Sequence, residues 1–238
     1  IKREIWIMKF GPSIITDGLV FAVDAANPTS YPGSGTIWKD QTVNQNNGTL
    51  TNGPTFDSGN GGSIVFDGSN DYVDCGNIDD IKNASQVSIS IWTYIDDISF
   101  RILLGQNLIS GTDQFQLYYW SANTLYIWIK SGNVGTVSYV NTSSIVNINQ
   151  WYNFTLVFDG TLTNNDRCKL FLNGGNDIIT NRGTMPTTFT NSSESFLIGR
   201  GLNGYFDGRM SNTQIYNRAL STEEVAQNYN ALKSRFGL

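Results

Sequence analysis

Short apolar runs separated by turn residues dominate the chain. Residues 19–23, Leu-Val-Phe-Ala-Val, lie between Asp17-Gly18 and Asn27-Pro28 and read as a buried strand. Residues 27–60 are mostly Gly, Pro, Asn, Ser and Thr, a long connection with room for one or two short strands. Ile64, Val65 and Phe66 form the next strand. The turn Asp67-Gly68-Ser69-Asn70 follows, and residues 71–75 return as another strand. Over residues 87–95 Val87, Ile89, Ile91 and Thr93 share one face, with Ser88, Ser90, Trp92 and Tyr94 on the other. Further strands are predicted at 101–105, at 115–129 as a hairpin around Ser121-Ala122-Asn123, and at 151–159, 168–172, 196–199 and 205–216. Asn173-Gly174 is a strong hairpin signal.

About a dozen short strands at turn-punctuated intervals predict an all-β chain, a two-sheet antiparallel jelly-roll sandwich. One helix is predicted, over 221–233. Ser221-Thr222-Glu223-Glu224 has the form of a capping box, in which Ser221 takes the Glu224 amide and Glu224 reaches back. Val225, Tyr229 and Leu232 recur at helical spacing and would dock on a sheet. Lys233 and Arg235 suit the negative end of the helix dipole. Residues 18–238 read as one domain behind an N-terminal arm, 1–17. Met8 is a candidate initiator, which makes residues 1–7 an over-translated leader and leaves 8–17 free to add a strand to a neighbour.

Composition then removes whole classes of chemistry. The 238 residues contain no histidine, which excludes Ser-His-Asp and Cys-His nucleophiles and imidazole metal sites. Glutamate occurs only at Glu4, Glu194, Glu223 and Glu224. Charged residues make up 15% of the chain and the net charge is −5, so a phosphate backbone would be repelled and nucleic acid is not an expected partner. No stretch approaches the roughly 20 apolar residues of a membrane span. Cys75 and Cys168 are expected to stay reduced.

Several segments in order carry a resemblance. They are Ile64 to Val73, Ser88-Ile89-Ser90-Ile91-Trp92, Trp151 to Asp159, Leu170-Phe171-Leu172-Asn173-Gly174, Gly204-Tyr205-Phe206-Asp207-Gly208 and Ile215 to Ser221. Across residues 18–232 the chain resembles the laminin-G-like, or concanavalin A-like, jelly-roll family, which implies a ligand-binding or adhesive module on a fold that also supports glucanases. Members commonly carry an acidic pair where this chain has Ser211-Asn212. The opening Asp17-Gly18-Leu19-Val20 with Asp24 to Pro28, and the ending Gln227 to Leu238, look like laminin-G-like proteins of tailed bacteriophages.

Three candidate chemistries remain. Glucanase relatives use paired glutamates on one strand, since an acid and a nucleophile must flank the glycosidic bond. No such segment occurs, and Asp79-Asp80 and Asp96-Asp97 read as loop carboxylates, so no catalytic residues are expected. On the 115–129 hairpin, Phe115, Leu117, Tyr119, Leu125, Ile127 and Ile129 share the core face. Gln116, Tyr118, Trp120, Tyr126, Trp128 and Lys130 then form an aromatic platform suited to stacking sugar rings, unless a loop or another subunit covers it. Asp67, Asn70 and Asp71, with Asp24 and Asp207 as further ligands, are candidates for structural calcium, against the simpler reading of self-capped turns.

The first functional expectation is a non-enzymatic virion structural protein of a tailed bacteriophage. It would be a capsid decoration or fibre component on the particle surface, with other virion proteins or further copies of itself as partners. The alternative is a carbohydrate-binding adhesin that recognises host-surface glycans. A glycoside hydrolase comes third.

Overall fold

A computed structural model describes residues 12–106, 113–121, 124–141 and 145–238. The proposed leader 1–7, most of the arm and the turn residues Ala122 and Asn123 lie outside the described residues. The first half of the chain contributes β1 (Leu19–Asp24), β2 (Ile37–Trp38), β3 (Gly48–Thr51), β4 (Thr55–Asp57), β5 (Ser63–Asp67), β6 (Tyr72–Asp74), β7 (Gln86–Ile95) and β8 (Arg101–Gln106). The second contributes β9 (Gln114–Ser121), β10 (Thr124–Lys130), β11 (Val137–Asn141), β12 (Gln150–Asp159), β13 (Cys168–Leu172), β14 (Phe196–Ile198), β15 (Arg200–Gly201), β16 (Gly204–Tyr205), β17 (Asp207–Tyr216) and α1 (Thr222–Leu232).

The strands form two antiparallel sheets. One runs β13-β12-β7-β17-β5-β4, with β1 paired to the far half of β17; the other runs β11-β10-β9-β8-β14-β6-β3-β2. Alternation along each strand turns apolar side chains inward from both sheets, so Ile89 and Ile91 meet Phe115, Leu117, Phe196 and Ile198 in one continuous core. Both cysteines are buried and free. Asn173 and Gly174, with φ of 51° and 65°, close the β13 turn in the left-handed geometry that the dipeptide favours.

Structure and prediction differ in four places. The 27–60 connection holds three short strands, and β11, whose sequence has no strong alternation, pairs along the edge of β10. A small hairpin, β15–β16, occupies residues 200–205, where no strand is predicted before Tyr205. Residues 13 and 15 of the expected arm bind their own helix: Gln227 Nε2 donates to the Ser13 carbonyl at 2.8 Å, and the Ile15 amide to Asn228 Oδ1 at 2.8 Å.

The C-terminal helix decides which outer surface stays open. Its capping box forms as the sequence predicts, with Ser221 Oγ accepting the Glu224 amide and Glu224 accepting the Ser221 amide. Val225 packs on Val157, Phe171 and Tyr216. Trp92, on the outer face of β7, stacks on Phe236 at 4.2 Å and Tyr229 at 5.5 Å. The first sheet is thus covered by α1 and the short 3-10 turn Lys233–Phe236. Arg235 does not serve the helix dipole; it grips Asp24 Oδ2 at 2.9 Å and Ser211 Oγ at 2.7 Å. Ser211, in the position of the missing acidic pair, therefore ties the C-terminal turn to β17, and Asp24 ties it to β1.

Candidate functional site on the outer face of the second sheet

The β9–β10 hairpin follows its predicted alternation. Phe115, Leu117, Tyr119, Leu125, Ile127 and Ile129 are all buried in the core. The six platform residues therefore project from the opposite face, in register: Tyr118 lies opposite Tyr126, and Gln116 opposite Trp128, while Tyr126 also faces Tyr139 of β11. The three tyrosines form a cross-strand ladder, with ring centroids 5.6 Å apart for Tyr118–Tyr126 and 5.2 Å for Tyr126–Tyr139.

Trp120 sits over this ladder. Its ring lies 6.4 Å from Tyr118 at 77° and 6.3 Å from Tyr126 at 61°, in T-shaped contact with both rings. Phe100 braces it from the side at 5.6 Å and 82°. Despite these contacts Trp120 is 58% exposed, the largest aromatic surface that the described residues present to solvent. Burial pushes the Tyr118 phenol up to about 12, with Tyr126 contributing.

The platform is not the uniform flat surface that alternation alone predicts. Gln116 and Tyr118 are buried, whereas Tyr126, Trp128 and Lys130 are half-buried. Cover at the Gln116 end comes from the β15–β16 hairpin, whose Leu202 amide donates to Gln116 Oε1 at 3.3 Å. Close approach depends on Gly105, opposite Gln116: a Cβ there would stand 2.4 Å from the Arg200 carbonyl oxygen. The hairpin's Gly204 abuts the Phe100 ring. Gln116 is therefore a support for the hairpin, and the accessible surface shifts toward Trp120, Tyr126 and Tyr139. Phe100 and Tyr139 were missed from sequence because one lies before β8 and the other on the unpredicted β11.

The acidic turn is built differently. Asp67 Oδ1 accepts the Ser69 and Asn70 amides at 2.9 and 3.2 Å, which helps hold its carboxyl below the usual range. Asp71 accepts the Asp67 amide at 3.2 Å, and burial followed by the Asp67 charge pushes its carboxyl up. Asp24 is paired with Arg235, and Asp207 with Arg101. Calcium takes about six to eight oxygens. Among the described residues no group of three or more His, Cys, Asp or Glu side chains converges to hold a metal ion. Asp79 and Asp80 lie on a 3-10 turn, and Asp97 binds Ser99 and Arg101.

Residues 67–226 match the model of the concanavalin A-like lectin/glucanases superfamily, well over half of the chain. The chain belongs to this superfamily. No curated protein matches its sequence. The fold is similar to domain 4 of AbnA, an extracellular arabinanase from Geobacillus stearothermophilus solved in complex with arabinotriose. That likeness has a TM-score of 0.68 and 20% identity, covering 89% of this chain and 98% of that domain. A sialidase from Trypanosoma rangeli matches with a TM-score of 0.64 and 16% identity, over 93% of this chain but 34% of the sialidase. The receptor-binding domain of botulinum neurotoxin C/D mosaic serotype matches with a TM-score of 0.65 and 13% identity, over 90% of this chain and 51% of that domain. The chain thus spans the whole of the arabinanase domain but about a third of the sialidase and half of the toxin domain. At these identities the likeness establishes the lectin-like jelly roll and leaves function to the site.

Proposed function

We propose that the chain is a non-enzymatic glycan-binding module, and that sugar rings stack on Trp120 with Tyr126 and Tyr139 completing the surface. The observation that carries this reading is the setting of Trp120. Three rings brace it, yet 58% of it faces solvent. A rigid exposed indole offers a stacking surface at little entropic cost. The α1 cover over the other sheet supports the same choice of face. The domain solved with arabinotriose lends support at the level of fold. The virion expectation rests on the opening and closing motifs of the chain alone, so the particle surface is not part of this reading.

Binding of the full chain to a panel of neutral and acidic oligosaccharides, with W120A alongside, tests the proposal. W120A is expected to weaken binding about tenfold or more and to keep Tm within about 2 °C, since the side chain is mostly exposed. Wild-type binding that survives W120A would overturn the assignment of the site, and a wild-type chain that binds no glycan would overturn the function.

A further inference from the structure

The described arginines are almost all matched. Arg101, Arg182, Arg209, Arg218 and Arg235 face carboxylates, and Arg167 donates to the Leu162 and Met185 carbonyls. Among the described arginines Arg200 alone has neither a carboxylate nor a hydrogen-bond acceptor on its guanidinium. Its contacts are two rings: the guanidinium carbon lies 4.6 Å from the Tyr72 centroid and 5.5 Å from that of Tyr205. Stacking uses the faces of a guanidinium and leaves its in-plane N–H groups free. The side chain is half-buried, so those donors are held in place rather than swept through solvent.

The position of Arg200 links it to the aromatic platform. Its hairpin partner strand ends at Gly204 and Tyr205, and Gly204 abuts Phe100, the ring that braces Trp120. Tyr72 on β6 and Trp120 on β9 are three strands apart in the sheet order β9-β8-β14-β6. At about 4.8 Å per strand that is roughly 15 Å, the reach of a short oligosaccharide. Of the carboxylates close in sequence to Arg200 and Tyr72, Asp207 is engaged by Arg101, Asp71 by the Asp67 amide and Asp74 by the Gly76 amide, while Glu194 is exposed.

We infer that Arg200 is a receptor for the carboxylate of an acidic sugar, so that the module selects acidic oligosaccharides over neutral ones. This inference rests on the glycan-binding reading and adds the ligand class. A planar fork of fixed N–H donors pairs with a carboxylate through two parallel hydrogen bonds, a match that a neutral hydroxymethyl group cannot make.

Titration calorimetry of the full chain tests it with oligogalacturonate, with a sialylated oligosaccharide, and with the carboxyl-reduced neutral counterpart of each. The two acidic arms distinguish a uronate from a sialate as the source of the carboxylate. Wild type is expected to bind at least one acidic ligand about tenfold or more tightly than its neutral counterpart, with affinity falling as salt rises. R200Q is expected to abolish that preference and leave binding of the neutral counterpart unchanged. R200K, which keeps the charge on the tyrosine rings but loses the fork, is expected to retain only part of it and serves as the test if R200Q lowers Tm. Equal affinity for acidic and neutral ligands, or a preference that survives R200Q, overturns the inference while glycan binding stands. Failure to bind any member of the panel overturns both.

Discussion

Trp92 and Trp120 occupy equivalent outward positions on alternating strands, yet one is 1% exposed and the other 58%. The difference lies in what stands above each ring. Phe236 and Tyr229, more than a hundred residues distant in sequence, stack on Trp92, whereas the rings around Trp120 meet it in T-shaped contacts and leave much of it open. Local pattern reads the side of the sheet and cannot read its cover. A second residue-level device is the ion pair of Arg218 and Glu224, whose two hydrogen bonds are both 2.7 Å long. The Arg218 bond holds the Glu224 carboxyl below its ordinary 4.5. A carboxylate with a lower pKa folded than unfolded stabilises the fold above the unfolded value, and that stability is lost as pH falls below it. Denaturant titrations from pH 7 to pH 3 should therefore show E224Q to be less stable than wild type at neutral pH, with the gap closing below about pH 4.5. A constant gap across that range would contradict the pairing.

Elements marked by an apolar run, by alternation or by a capping box were legible in the sequence: β1, β7, β12, the β9–β10 hairpin and the capped helix. Elements held chiefly by their neighbours were not. β11 pairs along β10 and is flanked by the 181–184 segment, and the β15–β16 hairpin has two residues in each strand and depends on its contact with β8. This hairpin also explains why the Gln116 end of the predicted platform is buried. A Cβ at position 105 would meet the Arg200 carbonyl, so G105A should cost about 1–3 kcal/mol and displace the hairpin. Amide hydrogen exchange is the check, with the Leu202 amide expected to lose protection once Gln116 no longer holds it. Unchanged protection in G105A would show that the hairpin is anchored elsewhere.

At the scale of the whole molecule, the two sheets are unequal partners. The outer face of the first is covered by α1 and the last 3-10 turn, and the core between the sheets is filled. On the outer face of the second sheet the chain places stacked tyrosines, a braced indole and an arginine with no acidic partner, and the proposed binding site lies there. The sandwich, the superfamily and the platform strands were all readable from sequence. The division of that platform into supporting and accessible residues was not, since it depends on a cover from residues 200–205 and on a ring from β11. A crystal structure of the chain with the oligosaccharide it binds most tightly tests the central claim directly. A sugar ring within stacking distance of Trp120, about 4 Å, is the predicted result; a ligand seated against Trp151 and Phe236 on the opposite sheet would contradict it.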